Sequence, residues 1–243
     1  MGEDRDAGMR LDSEFDRAAS RYDLLTGLNP GYHRHLAGAA RLLAMQSGPR
    51  PELVVDLGCG SGSSTAALQE AFPGARLIGV DASSGMLSRA RAKRWSGRVE
   101  FHHATAQQLA ALGLPAADCI LAAYLLRNVP AGERDAVLAA MHDQLRPGGW
   151  LAVQEYSVAG RLRARLLWTV VSWLVVIPLS WLVGGSPRLY RYLWRSVLDF
   201  DSIDEMLQRL RDAGFSDVTH HQVGGWQRGI LHTVVARRPD EAG

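Results

Sequence analysis

The chain has 243 residues, of which 47% are hydrophobic and 21% charged, ordinary figures for a globular protein. Its formal net charge of +2 provides no global basic field of the kind that nucleic acid would demand. The two cysteines, Cys59 and Cys119, belong to no CxxC or Cys/His cluster. No metal site is expected, only free thiols in a reducing cytoplasm.

The first sixteen residues are acidic and lack the apolar stretch of a secretory signal, so none is expected. FDRAASRYDLLTGL (15–28) and the stretch 33–45 carry apolar residues at helical spacing. Together, residues 1–48 read as a helical cap. From there the chain alternates strand and helix. LVVDL (53–57) is a short buried strand; 63–72 is a helix stopped by Pro73-Gly74. ARLIGVD (75–81) is a second strand, and 84–95 a helix N-capped near Ser83. RVEFHHA (98–104) and ADCILAAY (117–124) follow. A helix over 133–145 ends at Arg-Pro-Gly-Gly, before WLAVQEYS (150–157). This order predicts βαβ units, a parallel sheet and a doubly wound α/β core over 49–157. Segments 158–200 and 201–243 read as an apolar helical lid and as the completion of the sheet by an antiparallel pair, giving seven strands in all.

The segment Asp56-Leu57-Gly58-Cys59-Gly60-Ser61-Gly62 stands directly between a strand and a helix. In an open parallel sheet that is where ligands bind. Glycines admit a ligand close to the backbone, and the helix start offers free N–H groups. A dinucleotide turn reads G-x-G-x-x-G, whereas here Ser63 occupies its third glycine position. An acidic residue before the first glycine repels a pyrophosphate and suits an ammonium group, such as the amino-acid end of S-adenosylmethionine. Asp81 ends the next strand, where a carboxylate can accept both ribose hydroxyls.

VVDLGCGSG, IGVDASSGMLSRARAK and RPGGWLAVQEYS in succession resemble the motifs of class I S-adenosylmethionine-dependent methyltransferases. Within them, FDRAASRYDLLTGL, LRNV (126–129), LYRYLWRSVLDF (189–200) and DAGFSDV (212–218) resemble the ubiquinone/menaquinone biosynthesis C-methyltransferase family. The resemblance runs from Phe15 to Ala236. It implies a Rossmann-like, seven-stranded sheet that binds S-adenosylmethionine. Asp56, Gly58, Cys59, Gly60 and Gly62 would hold the methionine end. Asp81 and Ala82 would hold the ribose, and Met86, Thr105 and Ala106 the adenine. Tyr22 would close over the cofactor.

Three positions depart from the family. Thr105 replaces the aspartate expected to meet the adenine. Leu125 replaces a glycine before LRNV, and an insertion precedes His232. These changes leave the cofactor assignment in place and put the quinone acceptor in question.

For chemistry at the acceptor, Tyr124, Arg127 and Asn128 stand at the mouth of the fourth strand. His232 lies in the last strand, and Glu155 faces the same mouth. Arginine is too basic to act as a conventional base, but it can stabilise a developing phenolate. His102, His103, His220 and His221 read as structural.

The stretch 166–183 carries no charge and approaches the length of a membrane span, about 18 residues. Pro178 and the strand–helix order on both sides argue against a span. Arg161, Arg163, Arg165, Arg188, Arg191 and Arg195 flank it. Trp168, Trp173 and Trp181 suit a membrane interface. A pair of core helices is one reading. The favoured one is a lid that shelters a lipophilic small-molecule substrate and touches the inner face of the membrane. The competing functions are a methyltransferase of another acceptor class (a lipid amine, a terpenoid or a polyketide) and a catalytically silent cofactor binder. Oligomeric state has no signal in the sequence.

Overall fold

The computed structural model describes residues 31–48, 51–178 and 187–240. Tyr22 and Trp181 lie outside them. Seven strands form one sheet: β1 (Leu53–Leu57), β2 (Arg76–Asp81), β3 (Val99–His103), β4 (Ala117–Ala123), β5 (Leu145–Tyr156), β6 (Ser216–Gln222) and β7 (Leu231–Arg237). Their spatial order is β3-β2-β1-β4-β5-β7-β6. β1 to β5 pair in parallel, and β7 runs antiparallel to both β5 and β6. The chain moves outward from β1 through β2 to β3 and then returns to lay β4 on the other side of β1. The point of reversal is where open α/β sheets bind ligands.

The helices are α1 (Tyr32–Gln46), α2 (Ser63–Ala71), α3 (Ser84–Ala92), α4 (Arg134–Gln144), α5 (Leu162–Val171), α6 (Pro187–Leu198) and α7 (Ile203–Asp212). All five residues of β1 are buried, because helices cover both faces. This is why LVVDL is continuous rather than alternating. Val54 joins Leu36, Leu43, Leu68 and Phe72 of α1, α2 and the end of α2. Val55 points the other way, to Val137, Leu138 and Met141 of α4 and to Met206 and Leu210 of α7.

Two expectations need correction. Arg146-Pro147-Gly148-Gly149 does not precede the fifth strand but lies within it. Gly148 adopts φ 74°, and the register with β4 shifts between Ala117 and Cys119. A local ladder, Gly148 N–H to Arg238 C=O and Arg238 N–H to Gly149 C=O, holds the irregular stretch. A breaker motif thus becomes a bulge at the start of a strand.

The second correction concerns Trp168. It is turned inward: its ring stacks on Tyr156 and its indole N–H donates to the Trp194 carbonyl at 3.2 Å. Packing at α6 outcompetes the interfacial position expected for it. Trp173 remains exposed, and α5 runs on through a π-helical turn over Ser172–Val176. No helix among the described residues is long and apolar enough to cross a membrane. Cys59 and Cys119 are buried free thiols. The described residues contain no His/Cys/Asp/Glu group that could hold a metal.

Candidate active site

A cavity of about 620 Å³ opens at the ends of β1, β2 and β4, within the range of small-molecule sites. The glycine turn after β1 forms its floor. Gly58, Gly60 and Gly62 have φ of 77°, 52° and 88°, a left-handed region that disfavours any residue with a Cβ. The turn is stitched to β2: the N–H groups of Gly58 and Cys59 donate to the Val80 carbonyl at 2.8 and 3.1 Å. Gly62 caps α2, and a Cβ there would meet the Trp95 ring at 3.0 Å.

Asp81 is the charged wall of the cavity. Its Oδ2 accepts the Gly60 N–H and its Oδ1 the Ser83 N–H, both at 2.8 Å. A carboxylate can accept several hydrogen bonds, those of hydroxyl groups among them. Ser83 in turn caps α3 by accepting the Met86 N–H, which turns the buried Met86 toward the cavity. Ala82, Thr105 and Ala106 line the same side. The backbone N–H of Thr105 donates to Gln108 Oε1 at 3.0 Å. A carboxylate on the cavity wall, left-handed glycines and an apolar slot beside Met86 fit an adenosine bearing an amino-acid tail.

Asp56 is placed differently from expectation. It is fully buried and does not line the cavity. Its Oδ2 accepts the hydroxyls of Ser64 and Thr65 at 2.8 and 2.5 Å. Burial pushes its carboxyl up to about 7, against those two hydrogen bonds. Asp56 therefore braces the start of α2 beneath the turn rather than offering a free charge to a ligand. Gly62 also stays behind the wall.

Beyond the end of β4, Tyr124, Leu125 and Asn128 line the cavity. Tyr124 sits at φ 59°, an uncommon conformation for a bulky residue. Its carbonyl accepts the Asn128 side-chain N–H at 3.1 Å, and its own N–H donates to the Gln154 carbonyl at 2.8 Å. A column of stacked rings runs Tyr32, Tyr124, Tyr156, Trp168 with centroid spacings of 5.5, 5.2 and 5.3 Å. It joins α1 to α5 across the mouth. Arg127 lies over both Tyr124 and Tyr156 at 5.5 Å, buried beside the cavity rather than in its lining. His232 is not in the lining either. It is fully buried on β7, directly opposite Glu155 of β5.

The cavity also recruits residues that sequence reasoning missed, among them Tyr32, Leu36, Ser61, Ser63, Gln107 and Glu133. Ser61 and Ser63 were legible as neighbours of the glycine turn. Tyr32 and Leu36 carried no signal, because only the packing of α1 brings them there.

With this geometry in view, the comparisons decide the family. A model of the ubiE/COQ5 methyltransferase family matches residues 5–235. The chain belongs to that family. The ubiE/COQ5 relatives include the ubiquinone/menaquinone biosynthesis C-methyltransferase UbiE of Methylobacterium nodulans, 30% identical over 223 residues, 89% of this chain and 86% of that protein. The demethylmenaquinone methyltransferase of Thermus thermophilus is 31% identical, covering 83% of this chain and 91% of its own. Among solved structures, the N-methyltransferase NodS of Bradyrhizobium japonicum in complex with S-adenosyl-L-homocysteine superposes with a TM-score of 0.66 at 17% identity, covering 95% of this chain and 99% of that one. Human N-acetylserotonin methyltransferase with bound S-adenosylmethionine gives 0.63 at 18% identity, over 94% of this chain and 56% of its own. As a member of the ubiE/COQ5 family the chain is a methyltransferase, and its fold is that of the class I S-adenosylmethionine-dependent enzymes.

Proposed function

We propose that this protein transfers the methyl group of S-adenosylmethionine to a ring carbon of a prenylated quinol. The observation that carries the reading is the joining of Asp81 to the Gly60 N–H at the cavity floor, next to a mouth lined by the stacked Tyr32 and Tyr124. The names of its family relatives, which act in quinone biosynthesis, support the choice of acceptor.

In this reading the glycine turn and Asp81 hold the donor, with Cys59, Ala82, Met86, Thr105 and Ala106 around it. The donor supplies an electrophilic methyl on a sulfonium. Tyr124 and Asn128 orient the acceptor ring near attack distance, about 3–3.5 Å. Arg127, behind the Tyr124 and Tyr156 rings, lends a positive field that favours negative charge on the acceptor oxygen. The ring column excludes water.

Segment 158–200 serves as a lid for the lipophilic tail and as a peripheral membrane contact. Leu162 is 71% exposed and Leu174 73%, and Leu166, Val170 and Trp173 are exposed as well. Arg163 and Arg165, also exposed, stand among them. An apolar face with arginines beside it suits the anionic inner surface of a membrane. Leu125 supports a second reading. It packs so closely that a Cβ on Gly58 would meet its side chain at 3.0 Å. A narrowed wall favours a terpenoid or polyketide acceptor smaller than a naphthoquinol.

The deciding experiment incubates the protein with methyl-labelled S-adenosylmethionine and a prenylated 1,4-naphthoquinol held reduced. A product labelled at the ring carbon is expected. Label on oxygen or nitrogen, or none, would overturn the acceptor assignment.

A further inference from the structure

A second cavity, of about 610 Å³, lies between α1 and the β5-β7-β6 side of the sheet, again in the size range of small-molecule sites. α1 stands between the two cavities: Tyr32 and Leu36 line the first, and His35, Ala39 and Leu42 the second. Part of the second is a row of residues in register across three strands. Gln154 of β5 pairs with Thr233 of β7, and Thr233 with His221 of β6. Residues directly opposite in an antiparallel ladder share a face, and all three line the cavity. Arg34 and Gly38 of α1 complete the helical side. Val223, Gly224 and Gly225 line it too, where the stretch carrying the insertion before His232 begins.

Two polar groups of this lining are buried and unmatched. Gln154 is 1% exposed and His35 9%. The Gln154 side-chain amide spends its N–H groups on the His35 carbonyl and on Thr233 Oγ1, each at 3.1 Å. Gln154 Oε1 and His35 Nδ1 have no hydrogen-bond partner among the described residues. Buried polar atoms in native proteins are nearly always paired, so two on neighbouring cavity-lining side chains point to a ligand. An amide oxygen only accepts, and its missing partner is therefore a donor. The charge of the lining has one sign. Arg34, His35 and His221 are its ionisable side chains among the described residues, with no carboxylate beside them. Burial, aided by Arg34, holds the His35 imidazole below the ordinary histidine value. Near neutral pH His35 thus contributes hydrogen bonding, and Arg34 a fixed positive charge.

We propose that this second cavity binds a small oxyanion that also bears a hydroxyl group. The carboxylate or phosphate is held by Arg34, whose planar fork of N–H groups suits either. The hydroxyl donates to Gln154 Oε1 and meets His35 Nδ1. A hydroxy acid and a hydroxyl-bearing phosphate ester share this chemistry. The site is separate from the methyl-transfer cavity and does not depend on which acceptor that cavity takes.

The test is calorimetric titration of the full chain with malate and with glycerol 3-phosphate, at an ionic strength held constant with sodium chloride so that general screening does not vary. Succinate and inorganic phosphate serve as the matching anions without the hydroxyl. At least one of the two hydroxyl-bearing probes should bind with a Kd of about 1 mM or below, and the one that binds more tightly tells carboxylate from phosphate. Its hydroxyl-free counterpart should bind about tenfold more weakly, the scale of one lost hydrogen bond. Binding should persist when the first cavity is saturated with S-adenosylhomocysteine. Arg34→Glu changes an exposed residue of α1; it should abolish anion binding and leave the affinity for S-adenosylhomocysteine unchanged. Absence of binding by both hydroxyl-bearing probes up to about 10 mM overturns the site. So does displacement by S-adenosylhomocysteine, or undiminished binding in the Arg34→Glu protein. Equal affinity with and without the hydroxyl overturns the pairing with Gln154 and His35.

Discussion

Asp81 Oδ2 accepts the backbone N–H of Gly60 at 2.8 Å, so the carboxylate at the end of β2 holds the glycine turn at the end of β1 in its ligand-ready shape. Asp81→Ala removes this brace and, in the proposed function, the group that accepts the ribose hydroxyls. A charge-assisted hydrogen bond contributes about 1.5–3 kcal/mol, so donor affinity should fall about 10–100-fold. Calorimetric titration with S-adenosylmethionine checks this, and an unchanged affinity would remove Asp81 from the site.

Arg127 lies over the Tyr124 and Tyr156 rings and outside the cavity lining. Arg127→Ala should therefore act through the lost positive field and loosened rings, lowering turnover about tenfold, ~1.4 kcal/mol, with donor affinity within about twofold. Single-turnover kinetics separate the two quantities. Normal turnover in the variant would return Arg127 to a packing role.

Asp56 makes stability depend on pH. Its carboxyl ionises near 3.8 when unfolded and at about 7 when folded. Between these values the folded state holds a proton that the unfolded state has lost. The stability that this provides is complete below the lower value and is lost as pH rises through the upper one. Relative to Asp56→Asn, the wild type should thus lose about 1.4 kcal/mol per pH unit across the window. Denaturant titrations at about pH 5 and pH 8 measure the difference. Parallel curves would mean that Asp56 is ionised in the folded protein.

The exposed face of α5 predicts salt-sensitive membrane binding. The protein should pellet with anionic liposomes at low salt and be partly released at high salt, because screening shortens from about 10 Å at 0.1 M to about 3 Å at 1 M. Replacing Trp173 and Leu174 with serine should reduce pelleting. It should also raise KM for a long-tailed acceptor and not for a short-chain analogue. Indifference to liposomes would reduce the face to a cover for the substrate alone.

Much of this protein is written in local chemistry. Asp56 to Gly62 determines a strand, a left-handed turn and a helix start within a few residues, because glycine conformations and helix capping depend only on near neighbours. Asp81 and the Ser83 cap are legible for the same reason, and so is the alternation of strands and helices. Tertiary structure decided what neighbouring elements do to one another. Arg146-Pro147-Gly148-Gly149 reads as a break, yet cross-strand hydrogen bonds to Arg238 keep it in β5. Asp56 reads as a ligand for charge, yet Ser64 and Thr65 close over it. Trp168 reads as interfacial, yet α6 draws it inward. The register pairing of Glu155 with His232 across β5 and β7 joins residues far apart in the chain. Register is set by the packing of whole faces, which no local motif encodes.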